Sequence, residues 1–291
     1  MNRRRVDSKQ LANAFIAACK DELLAPKPGN VHVFAPGHGM EAEHFLASAE
    51  AAAPSLTAPE ASVGRRIFGA VEATWARVGM NTNLGIILLS APLVHAASRE
   101  GGADLRQRVR QTLEALDRED AEWAFRAIVR ASPAGLGAAP QHDVGAPAQV
   151  NLLDAMRSAS RRDRIAYQYA SGFEDIFEMG FNALSEARRL DCPDAITTLR
   201  LYATFLGAFP DTHIVRKFGE GAAAQVMGEA RDFLTLITGE PDHSVIIEAA
   251  LQWDRSLKER TLNPGTSADL TVATLFADYA KRILANAGKN G

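Results

Sequence analysis

The sequence predicts an all-α protein, and three observations carry that expectation. Apolar residues recur at three- and four-residue spacing along most of the chain, and no stretch alternates polar with apolar as a half-buried strand does. Ala and Leu outweigh the β-branched Val and Ile. Polar segments rich in Gly, Pro and Asn separate the helical runs and read as ordered loops. The expected architecture is a single-domain multi-helix bundle over residues 1–291, long enough to bury a sizeable core.

Each element follows from local signals. Ser8 is placed as the N-cap of a first helix whose apolar face holds Leu11, Phe15, Ala18 and Leu23, and Pro26 with Pro28 ends it. Residues 29–40 read as a Gly/Pro/His-rich loop. Helices are expected over 41–53 and 60–77, the second with Val63, Ile67, Ala70, Val71 and Trp75 on one stripe. Asn81 or Thr82 is expected to cap a helix through Ile86, Ile87, Leu88 and Leu89, apolar almost all round and therefore central. Patterns resume over 105–116 and 121–129, and 132–147 reads as a long loop. Further helices are expected over 151–159, 163–190, 194–209, 220–237, 244–259 and 267–287.

The bulk properties exclude several classes. A formal net charge of −3 gives no electrostatic reason to expect nucleic acid as a partner. No apolar run is long enough to span a bilayer, because 84–97 is interrupted by Pro92 and His95. Arg3, Arg4 and Arg5 lead into an amphipathic segment rather than a secretory core, so a cytoplasmic location is expected. Cys19 and Cys192 are the only cysteines, too far apart for a zinc or redox motif. Cys19 falls on the apolar face of the first helix as packing.

Four polar signatures carry the chemistry. In Pro26-Lys27-Pro28-Gly29-Asn30 the backbone is fixed twice by proline and freed once by glycine, which restricts Lys27 as an anion-binding lysine requires. A helix stop with a solvated lysine is the plainer reading. Among His32, His38 and His44 no zinc spacing exists, and His38, between Gly37 and Gly39, is the ligand candidate. Asn81, Thr82 and Asn83 precede a helix, where they cap it or hold a phosphate or sugar hydroxyl. Glu174, Asp175 and Glu178 share one helical side, where like charges call for Mg²⁺, a raised carboxyl pKa, or arginine partners. Asp211, Thr212, His213, Arg216 and Lys217 bring acid, imidazole and cations together within a few residues, a set suited to Mg²⁺ and polyphosphate. In the last signature, from Asn263 to Leu270, Thr266 or Ser267 is expected to cap the final helix. Asp269 is placed in its first turn, complementing the dipole.

Taken in this order, the signatures resemble those of the triphosphoribosyl-dephospho-CoA synthase family. The resemblance rests on Pro26-Lys27-Pro28-Gly29-Asn30, Gly37-His38-Gly39-Met40, Asn81-Thr82-Asn83-Leu84-Gly85, Glu178-Met179-Gly180-Phe181, Asp211 to Arg216 and Asn263 to Leu270. Three departures mark a divergent branch, one similar to that of archaea and of bacteria using archaeal-type one-carbon cofactors. Asn83 and Leu84 replace a His-Lys pair, His213 replaces an Asn, and Gly265-Thr266 replaces Gly-Gly.

The resemblance implies an all-helical transferase that joins ATP to dephospho-CoA. A hydroxyl of the acceptor attacks the anomeric carbon of the ATP ribose, adenine leaves, and a nearby carboxylate stabilises the oxocarbenium-like centre or takes the proton. It implies Asp211, Glu178 and Asp269 as catalytic carboxylates and Asp211, Glu178 and Asp175 as Mg²⁺ ligands. Lys27, Arg216 and Lys217 would bind phosphates, and Asn30, His38, Asn81, Thr82, Asn83, His213 and Ser267 would bind ribose or phosphate oxygens. The expected partners are ATP or a related nucleotide and a CoA-like or other phosphorylated cofactor precursor, with homo-oligomerisation left open. Two further readings stand beside this one: an enzyme of tetrahydromethanopterin or methanofuran assembly with another acceptor, and a non-catalytic helical binding protein.

Overall fold

The computed structural model of the protein describes residues 6–99, 104–132 and 141–289. These fold into thirteen α-helices and one π-helical turn, and the described residues contain no strand. Two compact units emerge, each assembled from separated stretches of chain.

The first unit comprises Met1–Ala18, Phe45–Glu174 and Leu275–Gly291. It holds most of α1 (Ser8–Leu23) and α2 (Ala42–Leu56), with α3 (Val63–Val78), α4 (Leu84–Ser98), α5 (Leu105–Glu114), α6 (Arg118–Ala131), α7 (Leu152–Ala159) and α8 (Arg164–Ser171). Helix α4 is buried along nearly its whole length, as its uniform apolarity requires. It packs against α3, α5 and α8, and Tyr169 of α8 donates its hydroxyl to Leu88 O at 2.6 Å. Short polar residues start most of these helices. Ser62, Asp104, Asp117, Asn151 and Asp163 each accept a backbone N–H of the first turn. The first helix differs: Asp7, rather than Ser8, is its cap, accepting from Lys9 N at 3.0 Å. The long loop expected over 132–147 lies partly outside the described residues, and from 141 to 151 the chain is turn and coil.

The second unit comprises Cys19–His44 and Asp175–Thr274. Its helices are α9 (Phe181–Arg189), α10 (Asp194–Ala208), α11 (Thr212–Thr238), α12 (His243–Glu259) and the start of α13 (Gly265–Lys289). Helix α10 is the hub, packing on α9, α11 and α12. Tyr202, Leu206, Ile214, Val226 and Leu257 make one core cluster, and Leu199, Phe233, Ile237 and Ile246 make another. The expected helix over 163–190 is interrupted. Gly172 and Phe173 adopt positive φ, and Asp175–Gly180 forms the π-helical turn before α9 begins. The helix expected from 220 begins earlier, at Thr212, but breaks at Gly219, where φ is 85° and ψ 170°. The basic first two turns of α11 are thereby set apart from the rest.

Candidate functional site

The polar signatures at 26–30, 211–219 and 263–270, with the histidine loop, all belong to the second unit. The backbone after α1 turns sharply at Gly29, whose φ of 79° is left-handed. A Cβ there would meet Leu262 O at 2.8 Å and Pro264 Cδ at 2.9 Å, so this close approach of 26–30 to 262–264 requires glycine. Three further bonds fix the segment. Asn30 Nδ2 donates to Asn263 Oδ1 at 2.8 Å, Tyr202 donates its hydroxyl to Pro28 O at 2.7 Å, and Gly29 N donates to Asp254 Oδ1 at 2.9 Å. The first and fourth signatures are therefore side by side.

Lys27 is fully buried. Its ammonium donates to Val31 O at 2.7 Å and pairs with Glu22 Oε1 at 3.1 Å. Burial lowers the Lys27 pKa and raises that of Glu22, and each charge opposes the effect on the other. The ammonium is thus engaged inside the unit, stabilising the loop after α1. Beside it, Asp254 Oδ2 accepts from Lys258 Nζ at 2.9 Å and lies 3.4 Å from His32 Nε2. Burial raises the Asp254 pKa, but His32 and Lys258 outweigh it and hold the carboxyl below its ordinary value. Lys258 also donates to Ala35 O at 3.2 Å. Beyond Ala35, a tight turn at Gly37 to Met40 puts His38 and Gly39 at positive φ, and His38 Nε2 lies 2.9 Å from Gly29 O.

Asp211 organises the other side. It is fully buried and is the N-cap of α11, its Oδ1 accepting from His213 N at 2.9 Å and Ile214 N at 3.3 Å. Its Oδ2 accepts from both the backbone N and the hydroxyl of Ser267, each at 2.8 Å. One carboxylate therefore caps two helices. Thr266 and Ser267, either of which was expected to cap α13, both lie inside its first turn, where Ser267 is a donor. Thr212 and Thr266 hydroxyls lie 3.0 Å apart, reinforcing the same junction. Burial raises the Asp211 pKa against the lowering effect of these four bonds. Helix α13 starts at Gly265, so Asp269 falls beyond the first turn in which it was expected, and is half-buried.

The His213 ring lies against Gly265, where any Cβ would collide with it. Its Nε2 is buried without a hydrogen-bond partner. Burial lowers its pKa, the neighbouring Lys217, Arg216 and His38 lower it further, and it falls to about 3. The imidazole is therefore neutral at physiological pH, within a positive local field.

The remaining candidates are placed differently. Asp175 is buried and Glu178 exposed on the π-helical turn. The metal set of Asp211, Glu178 and Asp175 does not fit a protein-held Mg²⁺. Both Asp211 oxygens already accept two hydrogen bonds, leaving no lone pair directed at a cation. Among the described residues no group of three or more His, Cys, Asp or Glu side chains is disposed to hold a metal ion. Asn81, Thr82 and Asn83 belong to the first unit. There Asn81 Oδ1 accepts from Leu84 N at 3.2 Å and Thr82 donates to Ser48 Oγ at 2.7 Å. Asn83 is at the N-cap position of α4 without a side-chain cap bond, and its buried Nδ2 has no partner.

Sequence reasoning missed Asp254, Glu22 and Tyr202. A signal for Asp254 was present: it continues the buried stripe of Ile246 and Ala250 on α12, where an aspartate demands partners.

The family model for ATP:dephospho-CoA triphosphoribosyl transferase matches residues 8–287. The chain belongs to this family. It is a transferase, and the family reaction is ATP-derived ribosyl transfer onto dephospho-CoA; the one-carbon-cofactor and non-catalytic readings are not favoured. A crystal structure of an Archaeoglobus fulgidus protein assigned as a triphosphoribosyl-dephospho-CoA synthase matches with a TM-score of 0.63 and 23% identity. The match covers 81% of this chain and 99% of that one, and it supports the all-helical synthase fold. No curated protein sequence matches the chain. No described helix of this synthase-family protein is long and apolar enough to cross a membrane.

Proposed function

We propose that the synthase site is the end of the second unit where α11 and α13 begin, and that it receives the polyphosphate of ATP. One observation carries the reading: His213, at the start of α11, holds a buried Nε2 with no hydrogen-bond partner and lies within electrostatic reach of Lys217, Arg216 and His38. A polyanion arriving there meets cations, and the neutral imidazole supplies a hydrogen bond without adding charge. Asp211 does not meet substrate in this reading. It acts as a positioning residue, holding His213 and Ser267 through its four bonds.

The acceptor hydroxyl of dephospho-CoA attacks the anomeric carbon of the ATP ribose. The glycosidic C–N bond breaks, and adenine takes the electron pair and a proton. Asp269 and Glu178, the carboxylates that Asp211's burial leaves, are the candidates for stabilising the oxocarbenium-like centre and taking the hydroxyl proton. Any Mg²⁺ would have to be held by the ATP phosphates, since the described carboxylates at this site do not fit it.

The test is an assay of adenine release from ATP with dephospho-CoA, with the product identified by mass. Release that depends on dephospho-CoA, with the ATP KM raised about tenfold or more in R216A and K217A, is expected. Adenine release with an unchanged ATP KM in both variants would move the phosphate site elsewhere.

A further inference from the structure

Asp254 is 1% exposed and too enclosed to meet a substrate, yet its carboxylate contacts three parts of the segment 26–40 or its supports. Its Oδ1 accepts the Gly29 N–H at 2.9 Å. Its Oδ2 accepts from Lys258 Nζ at 2.9 Å and lies 3.4 Å from His32 Nε2. Lys258 in turn holds Ala35 O at 3.2 Å. The carbonyl of the same residue is used as well, since Gly29 O meets His38 Nε2 at 2.9 Å. A continuous chain of contacts thus runs from Asp254 on α12 through the Gly29 backbone to His38, one of the three groups that act electrostatically on His213.

We propose that Asp254 is a positioning residue of the transferase reaction, fixing the segment 26–40 so that His38 stands where the polyphosphate of the nucleotide is received. The inference rests on the phosphate-site reading given above. No local sequence signature includes Asp254, and α12 contributes no side chain to the proposed phosphate contacts. Its influence passes through the Gly29 N–H, the Lys258 bridge and the contact with His32. A carboxylate suits this task because it accepts from a backbone N–H and an ammonium at once, and burial removes water as a competitor for either donor.

Three variants separate positioning from simple structural support. In D254A both acceptors are lost. In D254E the charge and the pairing with Lys258 persist, but the extra methylene displaces the oxygen from Gly29 N. In D254N the Oδ1 acceptor for Gly29 remains. Full-length proteins are assayed for steady-state turnover with ATP and dephospho-CoA, and hydrogen–deuterium exchange is followed by peptide. The expected result is an ATP KM raised at least tenfold in D254A and at least fivefold in D254E, with D254N within threefold of the parent. Exchange should rise in peptides covering 26–40 and stay unchanged in those covering α10. A lone fall in kcat that tracks the folded fraction, with ATP KM within twofold of the parent in both D254A and D254E, overturns the proposal. So does a D254N as impaired as D254A. Should D254A fail to fold, D254E and D254N still decide. The companion variant H213A distinguishes the layers: an unaltered ATP KM in H213A discards the phosphate site itself, whereas an impaired H213A beside unimpaired Asp254 variants discards only the positioning role.

Discussion

Asp211 and Ser267, 56 residues apart in sequence, share a two-pronged bond in which one carboxylate oxygen accepts both the backbone N–H and the hydroxyl of the serine. The second oxygen accepts the first-turn amides of its own helix. The starts of α11 and α13 are consequently a single electrostatic object, with a buried anion facing two positive helix ends.

Removing that anion should cost more than an ordinary cap. D211A is expected to lower unfolding free energy by about 2–4 kcal/mol, because two helix starts and a buried hydroxyl lose their acceptor together. Urea unfolding with an unchanged m-value measures it. A loss below about 1 kcal/mol, within the range of one exposed cap, would contradict the shared-cap geometry.

Gly265 and Gly221 make a matched pair. A methyl at Gly265 drives into the His213 ring, so G265A should reduce kcat/KM at least tenfold while secondary structure, read by far-UV circular dichroism, is retained. At Gly221 on α11 a Cβ meets nothing within 4 Å, and G221A should raise stability by about 0.5–1 kcal/mol. A G265A enzyme with parental kinetics would show that the ring contact is irrelevant to turnover.

The depressed pKa of His213, about 3, has a defined sign in the stability profile. In the unfolded chain the imidazole takes a proton near pH 6.5, whereas in the fold it stays neutral. Below pH 6.5 the unfolded state therefore binds more protons, and stability falls as the pH drops from there toward 3. Allowing for partial exposure, the loss attributable to this residue between pH 7 and pH 4.5 should be about 1–2 kcal/mol. Comparison with H213Q isolates it: the glutamine variant should show a shallower fall, and identical slopes would mean that the ring protonates freely in the fold.

The buried pair of Lys27 and Glu22 should be strongly coupled. K27M leaves an unpaired carboxylate and E22L an unpaired ammonium, and each single change should destabilise by about 3–5 kcal/mol. The double variant E22L/K27M should recover most of that loss, since an apolar pair of similar volume has no ions to desolvate. Additive losses in the double-mutant cycle would show that the two groups do not interact.

Much of the fold was legible because its signals are local. Ser62, Asp104, Asp117, Asn151 and Asp163 announce helix starts through their own side chains, and the uniform apolarity of α4 announces its burial. The π-helical turn at Asp175–Gly180 was not legible, because the helical spacing runs on through Gly172 and Phe173 although both take positive φ. At the candidate site, residue types were readable but partners were not. Nothing near Asp211 in sequence says that its second oxygen will serve Ser267, or that the Gly29 amide will find Asp254. Lys27 shows the same limit. Two flanking prolines restrict its direction, but only the fold reveals that this direction leads inward to Glu22.

The interruption of α11 at Gly219 has a mechanical consequence. His213, Arg216 and Lys217 ride on a short rod that is joined to the longer remainder by one non-helical residue. Its inclination is therefore set by Asp211 at one end and Gly219 at the other, so the basic tip takes a direction of its own, separate from the helix that carries Val226, Ala230 and Phe233 into the core.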